Sequence, residues 1–176
     1  MLLLFELKQC LSHCSNAMMT IKKHAGIYTL LVEQTLPVSL DEAWAFFSNP
    51  ANLERITPSH MQFRITSGEP KPMYAGQIIT YRVAPFKGFT TNWVTEITQV
   101  HDKHFFVDEQ RFGPYTMWHH EHHFAETASG VLVTDRVSYK LPLGWLGHLA
   151  HRLFVRRQLQ SIFNYRYHWL DKQFKS

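Results

Sequence analysis

Cysteine is nearly missing from this 176-residue sequence: Cys10 and Cys14 are the only two, both close to the N-terminus. They cannot make a disulfide framework, and a zinc site would need two further ligands, for which His13 and His24 are poorly spaced. They read as reduced, incidental thiols of a cytoplasmic protein. Long apolar runs are missing as well. The longest, Met1–Phe5, is far below the roughly 18 residues that would span a bilayer. Excess charge of one sign is also scarce, since 18 basic and 14 acidic residues leave +4, scattered apart from short clusters such as Arg152/Arg156/Arg157. Nucleic-acid binding shows a contiguous basic stripe with exposed aromatics, and none is present, so no nucleic-acid partner is expected. Eight Gly and eight Pro set aside collagen-like and low-complexity chains.

Aromatic side chains, at 14%, and histidine, at 12 residues, are in excess. They point to a lined interior rather than a plain core. A chain of this length buries roughly two-thirds of its unfolded surface and folds as one domain without metal or disulfide staples.

Residues 1–25 read differently from the rest. Leu2–Phe5 is followed by Glu6 and has no basic stretch before it, which makes a poor secretory signal. Leu11-Ser12-His13-Cys14 faintly suggests a lipoprotein cleavage box, but His13 stands where a small residue belongs. Met18 and Met19 are plausible starts, and the segment is expected to be a flexible extension. The functional domain is placed over 26–176.

Ile27–Leu36 alternates apolar and polar residues as a half-buried strand does, ended by Pro37. Ser39 and Glu42 then form a capping box, with Leu40, Ala43, Trp44 and Phe47 at helical spacing behind it. A second short helix is expected at about Ala51–Ile56. Met61 to Leu141 reads as six strands: Met61–Ser67, Gly76–Ala84, Phe89–Val100, His104–Gln110, Tyr115–Glu126 and Ser129–Leu141. Tight turns between them imply an antiparallel meander.

Trp145–Phe174 reads as one long helix, roughly 45 Å at 1.5 Å per residue. Val155, Leu159, Ile162, Phe163 and Leu170 share a face that includes Arg166, whereas Leu146, Leu149 and Leu153 lie about a quarter turn away. That offset predicts a bend or a change of packing near Arg156. The fold expected is α+β: a curved seven-stranded antiparallel sheet on a long C-terminal helix, with two short helices after strand one. One helix cannot fill the concave face of such a sheet, so a cavity is left between them.

These residues resemble the START-like helix-grip (SRPBCC) superfamily, which holds pollen-allergen-type carriers, lipid-transfer domains, coenzyme Q-binding proteins and polyketide cyclases. The resemblance spans about Ile27 to Phe174. It is carried by Leu40-Asp41-Glu42-Ala43-Trp44-Ala45-Phe46-Phe47, Asn52-Leu53, Gly113-Pro114-Tyr115, Trp118-His119-His120-Glu121-His122-His123-Phe124, Asp135-Arg136-Val137-Ser138-Tyr139 and Leu141-Pro142-Leu143-Gly144. It implies an apolar-ligand cavity and no common catalytic set. Some similar domains are fused to a nucleotide-binding epimerase-like domain; here any such partner would act in trans.

Alternation puts Trp118, His120, His122 and Phe124 on one strand face, taken as inward, with His119 and His123 on the solvated face. A turn at Thr127-Ala128 would pair His120 with Asp135 and His122 with Val133. Phe106, Asp108 and Gln110 share an inward face on the preceding strand, as do Trp93, Thr95 and Ile97 on the one before. The candidate ligand-binding set is Trp93, Phe106, Asp108, Gln110, Trp118, His120, His122, Phe124, Asp135, Tyr139, Ile162 and Arg166, His120, His122 and Arg166 being the candidate catalytic groups. Two dispositions stay open: an open cavity with convergent polar groups, or a filled core in which Asp135–His120 and Asp108–Arg166 satisfy one another.

His120-x-His122-x3-Glu126 resembles the cupin metal motif, but Glu126 falls at a hairpin turn and the glycine spacing is off; no metal or other cofactor is expected. The leading function is binding or transport of a small hydrophobic, lipid-like or polycyclic molecule. Burying about 300 Å² of it is worth roughly 7 kcal/mol gross. The alternative is a metal-free cyclase or lyase acting on a polyketide-like or aromatic substrate, with histidine as general base. Membrane contact is expected to be transient at most, through Pro85-Phe86-Lys87-Gly88-Phe89.

Overall fold

The computed structural model describes residues 18–68, 71–86 and 88–175. Expectations for residues 1–17, the two cysteines among them, lie outside the described residues. Eight strands form one antiparallel sheet: β1 (Met19–His24), β2 (Ile27–Leu36), β3 (Arg64–Ile65), β4 (Gln77–Phe86), β5 (Phe89–His101), β6 (Phe105–Phe112), β7 (Met117–Thr127) and β8 (Gly130–Lys140). Their order is β1-β2-β8-β7-β6-β5-β4-β3, a meander from β3 to β8 with the first hairpin laid against β8. Helix α1 (Leu40–Phe47) and two 3₁₀ turns, Pro50–Leu53 and Ser59–Met61, join β2 to β3. The chain ends in α2 (Trp145–Ala150), a π-helical turn (His151–Val155) and α3 (Arg156–Phe174).

The helix-grip architecture is as the sequence indicates, with one strand more than the seven expected. The extra strand is β1. Met19–His24 pairs residue for residue with Ile27–Val32 around the turn at Ala25-Gly26, so this part of the 1–25 segment is an ordered sheet edge. Its inner neighbour β2 shows the alternation that defines it, Tyr28, Leu30, Val32, Gln34 and Leu36 being buried. The strand expected at Met61–Ser67 shrinks to Arg64–Ile65, because Ser59–Met61 is a 3₁₀ turn and Gln62 is left-handed (φ 47°). The capping box forms as read: the Ser39 side chain accepts from the Glu42 amide, and Glu42 Oε2 accepts from the Ser39 amide at 3.0 Å.

The β7–β8 turn lies at Ala128-Ser129, with Thr127 opposite Gly130. Phe124 therefore faces Val133, His122 faces Asp135, His120 faces Val137 and Trp118 faces Tyr139. This is two residues from the expected register. A slip of two keeps every side chain on its face, so sidedness survived while the partners changed. Gly130 explains the turn. Its φ is +127°, and a Cβ there would lie 2.0 Å from the Leu36 carbonyl oxygen, so only glycine lets β8 begin beside the end of β2.

Irregular pairing at Val83/Phe86, Val94/Thr95 and Ile97/Gln99 bends β4 and β5. The sheet accordingly divides in two. On β2 and β8, Leu30, Val32, Val137 and Tyr139 pack directly against Val155, Leu159 and Phe163 of the terminal helix. Near α1, Leu36, Ala43, Phe47, Phe124, Val131 and Val133 close a second core with Leu170. The curved half, β4 to β6, stands clear of the helix except where Gln158 reaches the Pro85 carbonyl at the end of β4.

Candidate functional site

Between that curved half and α3 lies a cavity of about 200 Å³, far more than the roughly 10–15 Å³ that holds one water by the same kind of measure. Its walls are mostly apolar. Alternate residues of β4 (Ile79, Tyr81, Val83) and β5 (Trp93, Thr95, Ile97) supply one side, and Leu159, Ile162 and Phe163 of α3 supply the other. Phe46, Phe47, Met61 and Phe63, which the sequence reading did not include, close it from α1 and the following loop. Their signal was the helical spacing of α1, which reads equally as core. Thr95 serves as a polar anchor inside this wall: its Oγ1 lies 2.7 Å from Tyr81 Oη and accepts from Trp93 Nε1 at 3.0 Å.

One wall is charged. Asp108 on β6, His120 and His122 on β7 and Asp135 on β8 come together because β6, β7 and β8 are neighbours with Asp108 opposite His120 and His122 opposite Asp135. Each imidazole also reaches the diagonal carboxylate. His120 Nε2 lies 3.1 Å from Asp135 Oδ1, and His122 Nε2 lies 3.0 Å from Asp108 Oδ2. The remaining nitrogens face the same carboxylates less well. His120 Nδ1 is 3.4 Å from Asp108 Oδ2. His122 Nδ1 is 2.8 Å from Asp135 Oδ1 but off the line a hydrogen bond requires. From α3, Arg166 Nη1 approaches Asp135 Oδ2 at 3.5 Å, its guanidinium 4.9 Å from the Phe163 ring centre. Arg166 thus pairs with Asp135, not with Asp108 as in the filled-core disposition, and is buried.

The titrations separate accordingly. Burial and the adjacent His122 push His120 below the ordinary histidine value. Burial also opposes charge on His122, but Asp108 and Asp135 outweigh it and raise that imidazole. Burial would raise both carboxylates, yet His120, His122 and Arg166 hold Asp108 below, and Asp135 well below, the usual carboxylate range. Of the two imidazoles, His122 is therefore the one whose protonated form the carboxylates favour, and His120 the one whose neutral form burial favours. His120 hydrogen-bonds Asp135 through Nε2 while its Nδ1 faces Asp108, so both ring nitrogens are directed at carboxylates and the ring is held in a fixed orientation.

Of the expected ligand-binding set, Trp93, Phe106, Asp108, Trp118, His120, His122, Ile162 and Arg166 line the cavity. Four others sit elsewhere. Asp135 stands behind the histidines beside Val32, Gln34 and Arg166. Phe124 belongs to the core under α1, with its ring 5.4 Å from those of Trp44 and Phe47. Tyr139 lies under the helix and shares a 2.8 Å hydrogen bond with His151 Nε2. Gln110 turns to the β6–β7 loop, where it donates to the Tyr115 carbonyl and accepts from the Tyr115 amide, fixing the Gly113-Pro114 turn beside the cavity. His119 and His123 face outward as expected but are hydrogen-bonded, to Glu109 at 2.8 Å and Glu121 at 2.9 Å.

Asp108, His120 and His122 each bring one ligand atom within 4.8 Å of the others, the donor types of a two-histidine, one-carboxylate metal site. Here those atoms are engaged with one another, and Asp135 takes up the opposite nitrogens.

Solved structures share the fold. Protein Ms6760 from Mycobacterium smegmatis superposes with a TM-score of 0.62 at 18% identity, over 88% of this chain and 99% of its own. TTHA0849 from Thermus thermophilus gives 0.63 at 16% identity, over 83% and 96%. The major latex-like protein 151 of Panax ginseng gives 0.54 at 16%, over 78% and 97%. No curated protein matches the chain. A family profile described as polyketide cyclase/dehydrase and lipid transport matches residues 36–163, from the end of β2 to the middle of α3. A sheet that grips one helix over an apolar cavity, and a sequence match across most of that frame, make this chain a member of the polyketide cyclase/dehydrase and lipid transport family, within the START-like helix-grip superfamily.

Proposed function

We propose that the protein binds a small hydrophobic molecule, lipid-like or polycyclic, between β4–β6 and α3, and transports it. One observation carries this reading: a mostly apolar cavity whose charged groups, Asp108, His120, His122 and Arg166, are clustered together. Apolar walls supply affinity, and a few convergent polar groups set orientation. The charged groups of the cluster are already partnered with one another, which favours a ligand carrying a carbonyl or hydroxyl over one carrying net charge.

A second reading is supported by the Asp135–His120 pair. A carboxylate that orients an imidazole of lowered proton affinity beside an apolar chamber suits proton abstraction next to a carbonyl, as in cyclisation or dehydration. Tyr81 and Tyr115, both driven above the ordinary tyrosine value by burial, stay protonated as donors.

Native mass spectrometry of protein purified from its own cells tests the first reading. A retained hydrophobic compound is expected; bare protein that also fails to take up a neutral solvatochromic dye would refute it. If the retained compound is consumed on incubation, His120→Gln should stop turnover without displacing the compound. That result selects the catalytic reading over simple carriage.

A further inference from the structure

The terminal helix carries a second apolar stripe that is largely exposed among the described residues. Leu146, Leu149 and Leu153 recur at helical spacing and are each close to half exposed, while Trp145 is 72% and Phe154 60% exposed. Isolated exposed leucines need no explanation, but five large side chains along one stretch of helix do. Arg152, Arg156 and Arg157 flank them, all exposed and none in an ion pair among the described residues. Lys23 reaches the same place from β1, its Nζ 3.5 Å from His148 Nε2. No aspartate or glutamate occurs between Asp135 and Asp171.

We propose that this face, α2 and the π-helical turn after it, docks on the surface of an anionic lipid bilayer. An apolar stripe rimmed by arginines on an in-plane helix is the chemistry of interfacial membrane binding, and basic side chains beside it are drawn to anionic headgroups. A second copy of the chain fits less well, since a two-fold contact would lay this basic patch against the same basic patch with no acidic residue between Asp135 and Asp171 to offset it. The location gives the docking a purpose. One turn beyond Phe154, Gln158 lines the cavity and its amide donates to the Pro85 carbonyl at the β4–β5 hairpin. Phe89, 56% exposed, stands at the start of β5 in that hairpin. The bilayer-facing surface therefore runs up to the end of the cavity where Pro85 and Gln158 meet, so an apolar ligand could pass between lipid and cavity with little exposure to water. This last step rests on the ligand-binding reading above; the docking itself does not.

Co-sedimentation of the full chain with vesicles tests it. Binding is expected to phosphatidylcholine vesicles containing about a quarter phosphatidylglycerol, with little to phosphatidylcholine alone, and with release at high salt. Leu149→Ser with Leu153→Ser should weaken binding at least about tenfold. Arg152→Glu with Arg156→Glu should do the same on anionic vesicles. Both double variants should keep the thermal midpoint and neutral-dye uptake of the parent protein, which separates loss of docking from loss of the cavity. Three results would overturn the proposal. The first is a parent protein that ignores anionic vesicles. The second is a parent dimer by light scattering that Leu149→Ser dissolves, which would make the face a self-association surface or protein interface. The third is a fall in the thermal midpoint on Leu149→Ser, which would mean the chain itself covers the stripe.

Discussion

His120 and His122 stand with ring centroids 3.8 Å apart, yet their proton affinities move in opposite directions. Each imidazole disfavours charge on the other, and the carboxylates set the difference between them. His122 has both as close neighbours, whereas His120 has one good hydrogen bond and one long contact at 3.4 Å.

This asymmetry fixes a pH profile for stability. His120 is lowered, and His151, pushed down to about 4 by burial and by Arg156, His148 and Lys23, is lowered too. The unfolded chain binds more protons at these two positions, so stability should fall as pH drops from about 6.5 towards 4. His122 is raised; its contribution is complete below about 6.5 and is lost as pH climbs through its folded value. Maximum stability is therefore expected near pH 6.5, checked by denaturant unfolding from pH 4 to 9. His122→Asn should remove the decline on the alkaline side.

Arg166→Met should leave Asp135 without its cation. Removing one partner of a buried pair typically costs about 3–5 kcal/mol, and the lower end is expected because the histidines remain. The same change should raise the His122 titration further, since a nearby positive charge has gone. Proton NMR of the imidazole signals reads that shift directly.

Ile162→Trp should fill the cavity from the α3 side. Dye or ligand uptake should fall at least about tenfold while unfolding free energy changes by less than about 1.5 kcal/mol, because the larger side chain enters open space rather than a packed core. Equal losses of both would mean the space is not open in solution.

Gly130→Ala should destabilise by more than about 3 kcal/mol, combining a positive φ with a collision against the Leu36 carbonyl. Ser39→Ala, which removes only the α1 cap, should cost about 1 kcal/mol by thermal unfolding.

Period-two alternation made the inward faces of β5, β6 and β7 legible, and with them Trp93, Asp108, Trp118, His120 and His122. Alternation fixes a face but not a partner. The β7–β8 register turned on where Gly130 could sit against Leu36, a contact between residues distant in sequence. The fate of Arg166 depended on the helix phase and on Asp135 lying opposite His122, so its partner was not legible. Gln110 has the right parity but sits where β6 gives way to its turn, and the Tyr115 backbone claims it. Residues 19–24 look unremarkable as a strand because an edge strand needs little apolar content; only pairing with β2 defines it. The offset of Leu146, Leu149 and Leu153 from the main stripe was visible, and the structure accounts for it by the π-helical turn.

That turn settles a problem of angular arithmetic. Gly147, His151, Val155, Leu159 and Phe163 are all buried, at intervals of four residues. In an unbroken α-helix each such interval rotates by about 40°, so the last would point roughly 160° away from the first. The Arg156 amide instead reaches back five residues to the His151 carbonyl. The one surplus residue in that loop winds the two ends back towards a common side by about 100°. Deleting any single residue from 151–155 would swing the upstream and downstream segments out of phase, and Gly147 would lose its seat on Pro142.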